Sequence, residues 1–548
     1  MTGTVRILRA RRIVTLDESM PIADAVAVAD GKILHTGTYA EVAADLAGLG
    51  AITDDSFGDR VIVPGFIEGH SHILDEGSLS RFAWVGSYDR RTPDGGVQPG
   101  CPTHQSALDR IARAVAETTD PREVVVCLGW DPGMANSPGL DRHVLDAVAP
   151  GRAVFVGQSN LHVVHCSSAL LELAGITRDT DVEGVQRDGV GEPTGTLAEL
   201  DALMLVFGRH VRLSRGLEQG MRDGAALARQ VGCTTVTDLA FMAIQQQVDR
   251  VAAVVETEEF PLRVIYAPLA QAVAKSMGDD TFAHLHGLSS RPGNKHRMGP
   301  VKFTLDGSIQ GRTGQLDWPG YCCGDDHAMW VAEPAEMVEI MRPYHRAGLQ
   351  LAMHTNGDRA IGAGLDIYRQ LLDEHPRTDH RHRLEHVQMA TEAMFRRMKI
   401  LGVLPNLFAN HIWYWGDIHR EQTMGPAKAR RLDACGTAHR LGIPFSIHCD
   451  APVTPLDPLF TMWCAVNRLT SSGHVLGESE RIDAATALRA VTLDSAYLLH
   501  LDHELGSIEV GKRADFAVLG EDPTTCDPMA IKDVAVHATV LGGQINPN

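Results

Sequence analysis

Between residues 61 and 447 the chain alternates short apolar runs with helical stretches, and it does so eight times. The runs are Val61–Gly69, Cys233–Asp238, Arg263–Tyr266, Val301–Leu305, Leu349–His354, Arg383–Glu385, Gly402–Leu407 and Ile443–Ile447. Helices between successive strands imply parallel pairing, and parallel strands are covered on both faces, so they read as near-continuous apolar runs. Eight βα units predict a TIM-type (β/α)8 barrel of mixed α/β class. The gap between the first and second runs is too long for a loop. Residues of about 75–220 are expected to form an insertion over one end of the barrel. That segment carries an amphipathic stretch near Gln105–Thr118 and apolar runs at Val124–Leu128 and Ala153–Val156.

Both ends of the chain are β-rich. Val5–Leu8, Arg12–Leu16, Ala25–Ala29 and Lys32–Gly37 read as short strands, with Asp30-Gly31 as a turn. Asp515–Leu519 and Val534–Leu541 repeat this character near the C-terminus. Residues 1–60 and 505–548 therefore predict one small composite β-sandwich, leaving 61–504 for the barrel and its insertion.

Composition narrows the partners. Acidic residues outnumber basic ones, 69 to 50, for a net charge of −19. Phosphate backbones need Lys and Arg patches, so nucleic acid is excluded and a small-molecule substrate is expected. No apolar run approaches the roughly 20 residues that cross a bilayer. Charge interrupts the N-terminus at Arg6, unlike a signal peptide. The ten cysteines lack CxxC spacing, and adjacent Cys322 and Cys323 read as reduced thiols. A cytoplasmic protein without membrane contact is expected.

The chain has 26 histidines, so about one His-x-His pair arises by chance. His284/His286 and His380/His382 are such pairs. His70/His72 differs in lying at the C-terminal end of the first run. Residues i and i+2 of a strand share a face, so both imidazoles can meet one metal. His354, His386 and Asp450 end the fifth, sixth and eighth runs. Singly, these read as a core histidine, a helix N-terminal group and an N-cap. Together they stand where TIM-barrel active sites gather. Lys302 sits between Val301 and Phe303 in the fourth run. Burial would leave its amine neutral and able to add carbon dioxide, giving a carbamate that bridges two cations. Alternatively, it binds a substrate carboxylate or pairs with an acid.

The set resembles the binuclear amidohydrolases, and the chain is similar to their YtcJ-like branch, which includes N-substituted formamide deformylases. The matching segments run from Val63-Pro64-Gly65-Phe66-Ile67-Glu68-Gly69-His70-Ser71-His72 through Gly191-Glu192-Pro193-Thr194-Gly195 and Val301-Lys302-Phe303. They continue through Asp306-Gly307-Ser308, Arg312-Thr313, His354-Thr355-Asn356-Gly357-Asp358-Arg359-Ala360, Arg383-Leu384-Glu385-His386 and Gly506–Asp515. The resemblance implies one metal on His70, His72 and Asp450. It implies a second on His354 and His386, with carboxylated Lys302 between them. It further implies hydrolysis of an amide-type C–N bond and a homodimer. Departures are Glu68 where the family often has Asp, His448-Cys449-Asp450 in place of Ser-Asp, and Gln310 and Gly311 after the Asp-Gly-Ser turn.

Zinc suits these ligands, and manganese, iron or cobalt can substitute. Asp450 is expected to serve as general base and then general acid. Aromatics are 5% of the chain, and His411-Ile412-Trp413-Tyr414-Trp415 concentrates them after the seventh run. Trp413 is expected to wall an apolar or aromatic pocket, joined by Trp130 from the insertion, with His162 and Arg312 as substrate contacts. A hydrophobic or aromatic N-acyl or N-formyl compound fits such a pocket. A deaminase, cyclic-amide hydrolase or esterase would use the same metal set. A non-catalytic binding or regulatory relative is the rival from another class.

Overall fold

The computed structural model describes residues 4–131, 139–159, 162–211, 216–291, 293–322 and 328–548. The chain has mixed α/β architecture, with parallel sheets at its centre.

The first apolar run does not form one strand. Val61–Pro64 ends the long strand Ile52–Pro64, and a separate strand, Phe66–Glu68, follows Gly65. At Gly65 a Cβ would lie 2.1 Å from Thr234 Oγ1, so only glycine lets the chain pass between the two sheets. Ile52–Pro64 pairs parallel with Arg6–Val14 and antiparallel with Phe516–Leu519. Strands from both termini thus join in one seven-stranded sheet. Alternation then sorts its faces. Leu8, Val26 and Phe516 pack on one side, while Ile7, Ala25 and Ala27 meet Val42 of the helix Tyr39–Asp45 on the other.

Two parallel sheets form the centre. One holds Phe66–Glu68, Cys233–Phe241, Arg263–Pro268 and a short unforeseen strand, His296–Met298. The other holds Val301–Thr304, Leu351–Thr355, Arg383–His386, Leu404–Leu407 and Ser446–Ile447. A parallel bridge between Leu269 and Lys302 links the two. Val236, Phe303, Met353, Leu384 and Ile447 from the strands share one core with Val251, Leu365, Tyr368 and Phe395 from the helices. Burying each such side chain stabilises by roughly 1.5–3 kcal/mol.

The segment after the first histidine pair carries its own six-stranded sheet, running from Val185–Arg187 at one edge to Ala83–Trp84 at the other. Its helix His104–Glu117 starts where the Thr103 hydroxyl accepts from Ser106 N–H, and it buries Ala107 and Ile111. This segment is flanked by the helices Ile73–Leu79 and Leu217–Gln230. These meet backbone to backbone, because a Cβ at Gly77 would lie 1.9 Å from Gly220 O.

No helix among the described residues is long and apolar enough to cross a membrane. Nine cysteines are described and all are free thiols, Cys322 among them; Cys323 lies outside the described residues.

Candidate metal centre

His70 and His72 leave the end of Phe66–Glu68 and converge on Asp450. His70 Nδ1 lies 2.7 Å from Glu385 Oε2, and its Nε2 lies 3.4 Å from Asp450 Oδ1. His72 Nε2 lies 3.3 Å from the same oxygen. The Glu385 carboxylate accepts the Nδ1 proton of His70, which turns the Nε2 lone pair inward. The donor atoms of His70, His72 and Asp450 all lie within 4.8 Å of one another. Asp450 is held there in a left-handed conformation, φ 56°, which a non-glycine residue keeps only where its surroundings enforce it.

His354 and His386 form a second group. His354 Nε2 lies 3.2 Å from Gly307 O and 3.0 Å from Asn356 Nδ2, and its Nδ1 lies 3.0 Å from His386 Nε2. His386 also has a left-handed backbone, φ 69°. Its Nδ1 lies 3.6 Å from Asp450 Oδ2. The Asp450 carboxylate therefore sits between the two imidazole groups, one oxygen toward each.

Lys302 pairs in register with Ala352, two residues from His354 on the neighbouring strand. It is buried. Burial pushes the amine down to about 8, although the Glu385 and Asp450 carboxylates oppose the shift. Burial also holds three of the imidazoles neutral: His354 falls to about 3, and His70 and His386 lie well below the ordinary range, whereas at His72 burial is outweighed by the Asp450 carboxylate, which raises it. Burial acts to raise the Asp450 carboxyl, but His70 and His72 outweigh it and hold it well below the usual carboxylate range.

These residues fit a cation. Asp450 Oδ1 and His386 Nδ1 are buried without a hydrogen-bond partner among the described residues. Acceptors that face one another repel unless positive charge lies between them, and neutral imidazoles with a carboxylate are zinc-type donors.

Behind these residues lies a polar layer. Glu385 also accepts from Arg383 and Asn406, and Arg383 donates to Gly69 O at 2.8 Å. Burial raises Glu68 to about 8; its carboxyl accepts from His70 N–H and, at 3.0 Å, from the Cys449 thiol. Cys449 thus bonds away from Asp450. Asp306, an unassigned part of the Asp-Gly-Ser motif, accepts the backbone N–H groups of Gln315, Asn356 and Gly357 and so holds two loops beside His354.

The remaining sequence candidates lie at different distances. His162 Nδ1 is 2.9 Å from Glu199 Oε2, and its ring is 6.0 Å from that of His354. Arg312 is half-buried in the loop after the fourth strand, with φ 58°. Trp413 lies on the helix His411–Ile418, edge-on to Tyr414 and Phe460 at 4.7 and 5.6 Å. Trp130 is 1% exposed and packs within the insertion's own core beside His104. The insertion instead reaches this helix through Tyr88, whose ring is 4.6 Å from Tyr414 and whose hydroxyl donates to Val453 O. Gln310 bonds His411 Nε2 at 3.1 Å. His448, two residues before Asp450, is the other group that sequence reading left without a role. It lies against His70 and His386. The remaining His-x-His pairs have structural partners: His382 bonds His345, and His284 bonds Ala243 O.

The chain is similar to known proteins along nearly its whole length. The chain is 28% identical to N-substituted formamide deformylase of Arthrobacter pascens over 554 residues, 96% of each chain. It is 26% identical to putative amidohydrolase YtcJ of Bacillus subtilis (strain 168), over 97% of each. An uncharacterised metal-dependent hydrolase from Pyrococcus horikoshii OT3 shares the fold, with a TM-score of 0.73 at 21% identity, covering 96% of this chain and 99% of that one. The amidohydrolase family itself matches residues 58–546. With nearly its whole length matched, the chain belongs to the amidohydrolase family and is a hydrolase acting on carbon–nitrogen bonds.

Proposed function

We propose that the protein hydrolyses the amide bond of a hydrophobic or aromatic N-acyl or N-formyl compound at a binuclear zinc centre bridged by carboxylated Lys302. The observation that carries this reading is Asp450 standing between two pairs of imidazoles, beside a buried lysine. His70, His72 and Asp450 would hold one cation, and His354 and His386 the other. We also take the two parallel sheets as arcs of one closed barrel, with the terminal strands in a sandwich-like domain. The Leu269–Lys302 bridge and the bonds from Arg383 and Asn406 to Gly69 O support closure.

Bound there, such cations lower the pKa of water and polarise a carbonyl. Asp450, ionised at neutral pH, takes the proton from water and returns it to the departing amine. His162, held by Glu199, and Arg312 face the substrate from the loops. Trp413, Tyr414 and Tyr88 supply the apolar wall. That a relative is an N-substituted formamide deformylase supports an amide over an amino-heterocycle.

Metal content per chain tests the centre, on protein grown with zinc and bicarbonate. Two cations, falling to one or none in Lys302→Ala, is the expected result. One cation in both proteins removes the bridge, and none overturns the reading. A panel then compares amine release from N-substituted formamides and acylamides with ammonia release from amino-heterocycles and with ester cleavage. In Trp413→Ala, kcat/KM for aromatic amides should fall about tenfold more than for small ones; equal losses would give Trp413 a packing role only.

A further inference from the structure

We propose that His448 is a further ligand of the centre, donating a ring nitrogen to a transition-metal cation alongside His70 and His386. This rests on the reading that the centre holds metal.

His448 follows the short strand Ser446–Ile447, two residues before Asp450. Its ring stacks on His70 with centroids 4.7 Å apart and planes at 19°, and it lies 5.1 Å from His386. On its other side it stacks on Phe408 at 4.8 Å and 21°. The ring is fully buried. Neither nitrogen has a hydrogen-bond partner among the described residues. Leaving a buried polar group unmet is destabilising. A phenylalanine would fill the slot between Phe408 and His70 without that cost. Packing therefore does not account for an imidazole at this position.

A cation does account for it. One nitrogen each from His70, His386 and His448 lies within 4.8 Å of the others, so the three form a donor group in their own right. It shares His70 with the His70, His72 and Asp450 group. Glu385 engages His70 Nδ1, so His70 has a single inward lone pair and completes one of the two groups at a time. His448 thus adds a fully buried donor to a centre whose His72 is partly exposed. Imidazole nitrogens are donors of the kind zinc and cobalt accept.

Cobalt titration of the metal-free full-length chain tests this, read by visible d–d absorption and by chelator competition. The proteins are wild type, His448→Phe, His448→Gln and His70→Ala. Phe keeps the stacked volume, and Gln keeps a polar atom should Phe fail to fold; thermal melts of the metal-free proteins establish folding. The expected result is at least a tenfold weakening of one bound cobalt and a changed d–d band in the His448 variants, with greater loss in His70→Ala. Unchanged affinity and spectrum in the His448 variants, with loss in His70→Ala, would overturn the inference alone. No cobalt bound by wild type, or none lost in His70→Ala, would overturn the metal centre and this inference with it.

Discussion

Replacing Glu385 with glutamine probes the layer that aims His70. Glu385 Oε2 accepts from His70 Nδ1 at 2.7 Å, Asn406 Nδ2 at 2.8 Å and Arg383 Nη2 at 2.9 Å, while Oε1 accepts from Arg383 Nε at 2.7 Å. Both Glu385 and Arg383 side chains are wholly buried. Glutamine keeps the shape but offers one acceptor oxygen, and its amide sets a donor against a donor. The Arg383 charge is left with Gly69 O as its main partner, since its Nη1 has none among the described residues. Breaking a buried pair in this way costs about 3–5 kcal/mol. His70 also loses its charged acceptor, and loss of such an outer partner weakens metal binding about 10–100-fold, or roughly 1.4–2.8 kcal/mol. Urea unfolding of the metal-free chain reads the first effect, and chelator competition reads the second. The double variant Glu385→Gln/Arg383→Met separates them: removing the orphaned charge should recover much of the stability but not the metal affinity. If Glu385→Gln keeps both its unfolding midpoint and its affinity within twofold, the network does not position His70 and the reasoning fails.

Two further outcomes follow from the packing and the surface charge. Gly77→Ala would place a methyl 1.9 Å from Gly220 O, where rigid backbone cannot yield, so the helices Ile73–Leu79 and Leu217–Gln230 must part. A loss of at least about 1–3 kcal/mol is expected in thermal unfolding, and an unshifted melt would show that the helices separate freely. Glu504 sits between Arg513 and Arg297; burial raises its carboxyl, but the two guanidiniums outweigh it and lower it. A depressed folded pKa gives stability that is present above the unfolded value of about 4.3 and lost as pH falls through the folded value. Glu504→Gln should therefore be less stable at pH 7 by up to about 1 kcal/mol, since solvent partly screens the site, and the gap should close as the solution is acidified below the ordinary carboxylate range. A gap independent of pH would refute the charge argument.

Much of the site was legible because its signals are local. A two-residue spacing put His70 and His72 on one face. The ends of apolar runs marked His354, His386 and Asp450. A lysine between Val301 and Phe303 declared itself by being out of place. Other groups were not legible. The run Val61–Gly69 reads as one strand, yet Gly65 divides it between two sheets because Thr234 of another strand stands against it. Trp130 carries the same aromatic signal as Trp413, but the insertion folds around it. Tyr88 gave no signal, because its partners Tyr414 and Val453 are over 300 positions away.

The sequence by itself determined the alternation of strand and helix, the faces of each strand and the residue types able to bind a cation. These follow from periodicity and from side-chain chemistry within a few positions. Only the tertiary structure decided that Asp450 lies between the imidazole pairs, that Glu385 fixes the tautomer of His70, and that His448 is buried with both nitrogens unmet. Each of these depends on strands hundreds of residues apart being brought to hydrogen-bonding distance. That proximity is set by how whole faces pack, and no local pattern encodes it.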